Sequence, residues 1–262
     1  MIANKEISKV GFIGSGKVAT QLAISFYDRG IDVAQIYSRN FDNALTLAKK
    51  TGAAAISEIS GFDKDLDLIV ISISDSAFGD LELFSLPQNT LIVHTSGSLS
   101  IDVLRGIKNH GVFYPLQTFN MYDKPNWDTI PICIEANTEN NIYKLKNLAR
   151  LFSKKIFDIN SKERAILHLS AVFVCNFTNA LYAIGEEILD KNNISFDLLR
   201  PLIEETAKKT MIKSPKLLQT GPAVRNDRLI IDKHIQSLAD NTDYAKIYKL
   251  MSKIIYKQQN NN

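Results

Sequence analysis

The segment VGFIGSGKVA, residues 10–19, determines the expected fold of this 262-residue chain, because it places the pattern G-x-G-x-x-A between a strand and a helix. The apolar residues before Gly14 predict a buried strand, and residues 17–27 show the apolar spacing of a helix. Gly14 permits a tight turn, Gly16 lets the backbone approach a diphosphate, and Ala19 is small enough for close packing of helix on strand. The N–H groups at the start of the helix would bind the anion. The segment therefore predicts a dinucleotide site.

The first 160 residues alternate short apolar strands with amphipathic helices, which is typical of an α/β protein with a doubly wound, mostly parallel sheet of the Rossmann type. Asn40 and Gly52 are expected to cap the second helix, and residues 101–109 are expected to form a later one. Strands are predicted at residues 7–13, 32–37, 53–56, 68–71, 91–93, 112–114, 131–134 and 155–159.

Helical periodicity replaces this alternation after residue 160, so the chain is predicted to have two domains, residues 1–160 and residues 161–262. The second domain is expected to be all α-helical. Its helices are predicted at residues 162–189, 198–209, 213–220, 232–239 and 244–256.

Composition and charge exclude several other classes of protein. A net charge of +3, with 45% hydrophobic and 23% charged residues, is ordinary for a globular protein and gives no indication of nucleic-acid binding. The longest apolar runs, such as residues 66–73, are too short to span a membrane. Cys133 and Cys175 are too far apart in sequence to predict a metal cluster or a disulfide framework. The N-terminal residues lead directly into a strand, so no signal peptide and a cytoplasmic location are expected.

The end of the second predicted strand indicates which nicotinamide cofactor the site would bind. NAD-selective sites place an Asp or Glu about 20 residues beyond the glycine pattern, where the carboxylate binds the ribose hydroxyls. This chain has Ser38 and Arg39 there instead. A hydroxyl and a guanidinium suit the 2′-phosphate of NADP, which an arginine binds in a planar fork. The alternative is that both residues form a solvated strand end.

Two later loops are expected to complete the cofactor site, because ligands lie at the carboxyl ends of the strands in such folds. Ser74 follows the fourth predicted strand, and Ser96 lies in the turn after the fifth. Their hydroxyls could bind ribose or nicotinamide. The alternative is that these serines stabilise turns and helix N-termini.

Candidates for the catalytic groups lie on the long helix predicted at residues 162–189. At about 100° per residue, His168 and Asn179 fall within one narrow band, with Asn176 at its edge. His168 is the candidate acid/base because the pKa of an unperturbed histidine is near neutrality. Asn176 or Asn179 would orient the substrate. The alternative is a polar stripe that faces solvent or a second subunit.

Two further positions are open to more than one interpretation. His94 ends the fifth predicted strand, where a packed or hydrogen-bonded histidine is expected more often than a catalytic one. Arg225 could bind a substrate carboxylate, or Arg225 and Asp227 could form a salt bridge between helices and a helix cap.

Together these motifs resemble a family of NADP oxidoreductases that joins a Rossmann-like domain to a helical domain of unknown function. The wider group is similar to deazaflavin-dependent NADP reductases, pyrroline-5-carboxylate reductases and 6-phosphogluconate-type dehydrogenases. The resemblance covers nearly the whole chain. It rests on the glycine pattern, on Ser38-Arg39, and on HTSGS at residues 94–98, YPLQTF at 114–119, HLSA at 168–171, NFTNALY at 176–182 and TGP at 220–222 with Arg225 and Asp227.

The resemblance implies an NADP-binding domain, a helical domain that mediates homodimerisation, and hydride transfer to or from a small substrate where the two domains meet. It implies no metal, nucleic-acid or membrane partner. The 3-hydroxyacid branch has a catalytic lysine near the start of the long helix and an asparagine one turn later, whereas this chain has His168 and Val172. Two alternatives remain, an imine reductase of the pyrroline-5-carboxylate type and a catalytically inactive protein that senses NADP.

Overall fold

The computed structural model describes residues 6–260, which contain an eight-stranded sheet followed by helices. The strand order is β3-β2-β1-β4-β5-β6-β7-β8. The strands are β1 (Lys9–Ile13), β2 (Asp32–Tyr37), β3 (Ala54–Ile56), β4 (Leu68–Ile71), β5 (Leu91–His94), β6 (His110–Pro115), β7 (Ile132–Ala136) and β8 (Ile156–Asp158).

Six of these strands, β3 to β6 in the order of the sheet, are parallel to one another. Strand β7 runs antiparallel to β6, and β8 runs parallel to β7. Strand β1 lies between β2 and β4, so the chain changes direction across the sheet at β1. In doubly wound sheets this switch point opens a crevice at the carboxyl ends of the strands, where ligands bind. The predicted fold class is confirmed.

Helix α1 and strand β2 have the bounds that the sequence predicts, whereas β1 begins at Lys9, two residues later than predicted. Asn40 caps α2 through its Oδ1, which accepts hydrogen bonds from the N–H groups of Asp42 and Asn43, and Gly52 ends the helix at a φ of +70°. The helices are α1 (Lys17–Tyr27), α2 (Phe41–Thr51), α3 (Glu139–Arg150), α4 (Ser161–Ala171), α5 (Thr178–Asp190), α6 (Arg200–Thr210), α7 (Pro215–Leu218), α8 (Arg228–Ser237) and α9 (Thr242–Asn260), with a π-helical segment, Val172–Phe177, between α4 and α5.

One helix predicted from the sequence does not form, and one helix of the structure was not predicted. The residues predicted as a helix at 101–109 form only a short 3₁₀ turn, Ile101–Leu104, because β6 begins at His110 and Gly106 intervenes. Helix α3 was missed. Its N-terminus is capped by the hydroxyl of Thr138, which accepts a hydrogen bond from the N–H group of Asn141.

The core fixes the strands whose ends carry the candidate site. All four residues of β4 are completely buried, as expected for a strand covered on both faces. One side of the sheet packs an aromatic cluster in which Phe26 contacts Phe12, Phe113 and Phe152 at ring-centroid distances of 4.8–6.4 Å. This packing holds the loops at the carboxyl ends of β1, β4, β5 and β6 on a rigid scaffold.

The chain forms two compact units, of which one ends at Cys175 and the other begins at Asn176. The division lies within the π-helical segment, and the first unit includes α4. The predicted domain boundary at residue 160 stays a prediction. Within the described residues one helix, Ser161–Asp190, is long and apolar enough to cross a membrane by length and composition, with a mean hydropathy of 1.4. A single helix of this kind is weak evidence for a membrane span.

Candidate dinucleotide site

A cavity of about 610 Å³ opens at the carboxyl ends of β1, β2, β4, β5 and β6, within the first compact unit. It coincides with the crevice expected of this topology. Nine of the residues singled out from the sequence line it: Gly14, Ser15, Gly16, Val18, Ser38, Arg39, Ser74, Ser96 and His168.

Gly14 is required by the packing of the protein itself. Its φ is +112°, a conformation that residues with a side chain rarely adopt. A Cβ atom at this position would lie 2.1 Å from the carbonyl oxygen of Ser72, at the end of β4. The Gly14 N–H group donates a hydrogen bond to the carbonyl oxygen of Tyr37 at 2.8 Å, which joins the loop to β2. The turn is therefore held against two neighbouring strands.

No contact within the described protein requires a glycine at position 16, which fits a residue whose backbone is approached by a ligand. It is the N-cap residue of α1, and a Cβ atom there would have no protein atom within 4 Å. No side chain caps this helix and its first turn contains no acidic residue. The first N–H groups of α1 thus remain open beside the cavity and can bind an anion such as a diphosphate.

The end of β2 provides donors for a further phosphate. The Ser15 hydroxyl donates a hydrogen bond to Ser38 Oγ at 3.0 Å, which links the glycine loop to the end of β2. Arg39 is exposed and makes no ion pair or hydrogen bond within residues 6–260. Its guanidinium is available to a ligand, as binding of a 2′-phosphate requires.

The serine turn after β5 is ordered by its own side chains. Ser96 Oγ accepts hydrogen bonds from the N–H groups of Ser98 and Leu99, at 3.1 and 3.0 Å. The Ser98 hydroxyl donates to the carboxylate of Asp75, which ties the turn to the loop after β4. Ser96 therefore stabilises a turn and also lines the cavity. The proposed contacts of Ser74 and Ser96 with a cofactor stay predictions.

His94 is a packed histidine at the base of this turn. It is completely buried, and its Nδ1 accepts a hydrogen bond from the Ser96 N–H group at 3.2 Å. Burial lowers the pKa of His94 to about 4, and the positive charge of Arg164 contributes to the shift. The ring is therefore neutral at physiological pH and holds the turn.

His168 contacts a tyrosine on the wall of the cavity. Its Nδ1 lies 3.1 Å from the phenol oxygen of Tyr114, with the two rings edge to face. Burial raises the pKa of Tyr114 to about 12, so the phenol keeps its proton at neutral pH. The backbone of Gly97 lies against the imidazole, because a Cβ atom there would be 2.6 Å from Nδ1. Within the described residues His168 Nε2 makes no hydrogen bond. The fully buried polar atoms without a partner are His94 Nε2 and Arg164 Nε, so His168 Nε2 is not one of these buried atoms.

Tyr114 belongs to the YPLQTF motif, but no role for its side chain was predicted from the sequence. A usable signal was present, because Tyr114 lies near the end of β6, and β6 is parallel to β5. The carboxyl ends of both strands therefore reach the same edge of the sheet. What the sequence does not reveal is the contact with His168, which lies 54 residues further along the chain.

Asn176 and Asn179 both belong to the second unit. Asn179 lines a cavity of about 470 Å³ there, together with Tyr182, and Asn176 is exposed. The helix predicted as continuous contains the π-helical segment Val172–Phe177, where hydrogen bonds connect residues five apart and a projection at 100° per residue does not hold. Roles for both asparagines stay predictions.

The loop before α8 shows which of the contacts predicted for Arg225 and Asp227 form. Asp227 Oδ1 accepts a hydrogen bond from the Ile230 N–H group at 3.3 Å and so caps α8. Arg225 is exposed and has no ion-pair partner in the described part of the chain. The helix cap is therefore confirmed, whereas the salt bridge is not observed.

Comparison with known protein families identifies the class to which this fold and cavity belong. Residues 9–95 match the family model of coenzyme F420-dependent NADP oxidoreductases. Residues 130–255 match a domain of unknown function, DUF2520. The first match contains the glycine loop together with Ser38, Arg39 and Ser74, so it coincides with most of the candidate cofactor site.

A solved structure extends the likeness to the whole chain. A "putative NADP oxidoreductase" from Bacteroides fragilis is 38% identical, with a TM-score of 0.91 over 95% of this chain and 98% of that one. The chain belongs to this family of NADP oxidoreductases, which combines the F420-dependent type of NADP oxidoreductase domain with DUF2520. The resemblance inferred from the sequence is confirmed, and so is the prediction of NADP as the cofactor.

More distant proteins share the fold. An imine reductase from Myxococcus stipitatus, solved in complex with NADP⁺, is 14% identical, with a TM-score of 0.68 over 95% of this chain and 93% of that one. L-aspartate dehydrogenase from Methanocaldococcus jannaschii is 32% identical over 97 residues, which are 35% of this chain and 36% of that enzyme. The match thus spans about a third of the length of this curated relative. The fold that these proteins share with the chain is of the Rossmann type.

Proposed function

We propose that this protein catalyses hydride transfer between NADP and a small carbonyl or imine substrate, with His168 as the acid/base. The observation that carries the proposal is the His168–Tyr114 pair, which lies on the wall of the same cavity as the glycine loop. Bound NADP would supply the hydride donor or acceptor. The residues of the chain would bind the cofactor, orient the substrate and move one proton.

Three groups would hold the cofactor. The open N-terminus of α1 at Gly16 would bind the diphosphate. Arg39 and Ser38 would bind the 2′-phosphate, and the bond from Ser15 leaves the Ser38 hydroxyl hydrogen free to donate to it. The hydroxyls of Ser74 and Ser96 would contact the nicotinamide half.

Tyr114 would determine which nitrogen of His168 carries the transferable proton. A protonated phenol that donates to Nδ1 makes this nitrogen the acceptor, so the neutral ring carries its hydrogen on Nε2. Nε2 has no partner among the described residues and is left for the substrate. In the reductive direction the imidazolium form of His168 would donate its Nε2 proton to the substrate oxygen or nitrogen and keep its hydrogen on Nδ1, which would then donate to the Tyr114 oxygen. A proton taken up at Nε2 and one released from Nδ1 would restore the resting tautomer. A positioned acid of this kind accelerates such reactions by about 10²- to 10⁴-fold.

Other parts of the proposal rest on the sequence patterns and on the resemblance to the family. These are a substrate site where the two domains meet, orientation of the substrate by Asn176 or Asn179, a homodimer formed through the helical domain, and a cytoplasmic location. They extend the proposal from the cavity around His168 to the protein as a whole.

A substitution of His168 tests the proposal. NADPH absorbance would be followed during a screen of carbonyl, imine and flavin-type acceptors, and His168→Gln would then be assayed with any substrate found. We expect turnover to fall by about 10²- to 10⁴-fold while the affinity for NADPH is unchanged. His234→Gln is a matched control, because His234 Nδ1 lies 2.7 Å from the phenol oxygen of Tyr248 in a second histidine–tyrosine pair that does not line the cavity.

Two results would contradict the proposal. If His168→Gln retains full turnover, the histidine is not the acid/base. If the protein binds NADPH but transfers hydride to none of the three classes of acceptor, the alternative of an NADP-sensing protein is favoured.

A further inference from the structure

A completely buried arginine lies one helical turn before His168. Arg164 has no exposed surface, and its guanidinium forms an ion pair with Glu135 of β7. It also donates hydrogen bonds to the carbonyl oxygen of Leu99 and, at 3.2 Å, to the hydroxyl of Ser161. A buried guanidinium is unfavourable unless it is paired and hydrogen-bonded in good geometry, so this position calls for an explanation.

The partners of Arg164 connect three separate elements. The Ser161 hydroxyl, at the start of α4, donates to Glu135 at 2.8 Å. The same oxygen accepts a hydrogen bond from the N–H group of Ile101, also at 2.8 Å. Arg164 and its partners therefore join α4, β7 and the serine turn after β5.

The serine turn in turn contacts the candidate acid/base. Arg164 holds the Leu99 carbonyl oxygen, while the Leu99 N–H group is bound to Ser96 Oγ at 3.0 Å. Gly97, in the middle of this turn, lies so close to the His168 ring that a Cβ atom would be 2.9 Å or less from three of its atoms. The arginine thus fixes both the helix that carries His168 and the backbone against which the ring lies.

We propose that Arg164 is a positioning residue that holds the His168 imidazole in hydrogen-bond contact with Tyr114. The inference rests on the proposed function for the catalytic role of His168, but the positioning itself does not. An arginine suits this task because its planar fork fixes several acceptors at defined angles, which a lysine or an apolar side chain cannot do. Its Nε–H group has no partner in the described residues, so the arrangement does not satisfy every buried donor.

The experiment measures the tautomer of His168 rather than turnover. Protein with ¹⁵N-labelled histidine would be studied by NMR, and the His168 signals would be assigned by their loss in His168→Gln. The wild-type ring is expected to show an acceptor Nδ1 and a protonated Nε2. Arg164→Lys and Ser161→Ala are expected to increase the ratio of the Nδ1–H to the Nε2–H tautomer by about 2- to 10-fold, the effect of weakening one hydrogen bond to the ring. Ser161→Ala retains the arginine and the ion pair, so the test does not depend on one variant that could fail to fold.

Arg105→Lys is the matched control. Arg105 lies near the same turn and pairs with Asp102 at 2.9 Å, but both side chains are largely exposed. This variant is expected to leave the His168 signals unchanged. A purely structural role for Arg164 would lower stability without altering the tautomer, so unchanged His168 signals in both folded variants would overturn the proposal.

The two proposals fail in distinguishable ways. If the tautomer shifts in Arg164→Lys but His168→Gln retains turnover, the positioning stands and the catalytic role is wrong. If His168→Gln loses turnover but the tautomer is insensitive to Arg164 and Ser161, the catalytic role stands and the positioning is wrong.

Discussion

Substitution by alanine should have different effects at the two glycines of the glycine loop. At Gly14 it should reduce stability, whereas at Gly16 it should reduce cofactor affinity. Gly14→Ala would place a methyl group 2.1 Å from the Ser72 carbonyl oxygen at a φ of +112°. Backbone strain alone costs about 1–3 kcal/mol, and the clash with a backbone atom must add to it. We therefore expect Gly14→Ala to be severely destabilised, by more than about 3 kcal/mol.

Gly16→Ala should leave the fold nearly intact and impair the cofactor site. Its φ of −72° and ψ of −174° suit alanine, and the added methyl group would meet no protein atom within 4 Å. The loss of a favourable N-cap residue costs about 1 kcal/mol or less. A diphosphate held by the N–H groups of α1 would be displaced by the methyl group. Each charge-assisted hydrogen bond lost costs about 1.5–3 kcal/mol, so the Kd for NADPH should rise by about 10- to 100-fold.

Thermal unfolding and NADPH titration separate the two effects. We expect the Tm of Gly16→Ala to fall by no more than about 4 °C, because 1 kcal/mol corresponds to about 2–4 °C in a protein of this size. Gly30→Ala is a control for the strain of a positive φ, since Gly30 has a φ of +77°, no neighbour within 4 Å and no place in the cavity wall. Wild-type affinity for NADPH in Gly16→Ala would refute the reasoning, and so would a loss of stability equal to that of Gly14→Ala.

Two further predictions concern the cofactor preference and the response to acid. Arg39→Ala should reduce the ratio of NADPH to NADH affinity by about 10- to 100-fold with little effect on NADH, measured by titration of both, whereas Arg105→Ala should leave the ratio unchanged. The pKa of His94 is about 4 in the folded protein against 6.5 ordinarily, so this group stabilises the fold at and above pH 6.5 and loses that contribution as the pH falls towards 4. The loss amounts to about 3 kcal/mol. Urea unfolding of His94→Asn, which can still accept from the Ser96 N–H group, should show a correspondingly smaller acid effect, and an unchanged pH dependence would contradict the assignment.

The residues that line the cavity around the glycine loop could be predicted because their pattern is local in the sequence. The strand, the turn and the helix around Gly14 and Gly16 lie within one short segment, and the turn geometry follows from the residues themselves. Ser38 and Arg39 follow β2 directly, at a spacing that the lengths of α1 and β2 set. Local sequence patterns fail where the length of chain between two elements determines the structure. The residues at Ile101–Leu104 form only a short 3₁₀ turn, since β6 begins soon after it at His110.

The contacts around His168 could not be predicted because they join residues that are distant in the sequence. The partner of His168 is Tyr114 on β6, and the residue that anchors its helix, Arg164, binds Glu135 on β7. The sequence also contained no sign that Val172–Phe177 adopts a π-helix, so a projection at 100° per residue does not apply along that segment.

The geometry of the histidine also restricts the chemistry that the proposed enzyme can perform. Reduction of a C=O or C=N bond consumes one hydride and one proton, and His168 presents one nitrogen without a partner within the described residues. Because the Tyr114 phenol has a pKa of about 12, it is a weak acid and is better suited to orient the imidazole than to replace it. A reaction that needs two independent proton donors would require a second group. The same cavity wall also carries Lys17, Arg39, Asp75 and Asp80, of which Asp75 is already bound to Ser98. If His168 is the proton donor, we expect the site to favour substrates that accept a single proton at the atom next to the carbon that receives the hydride.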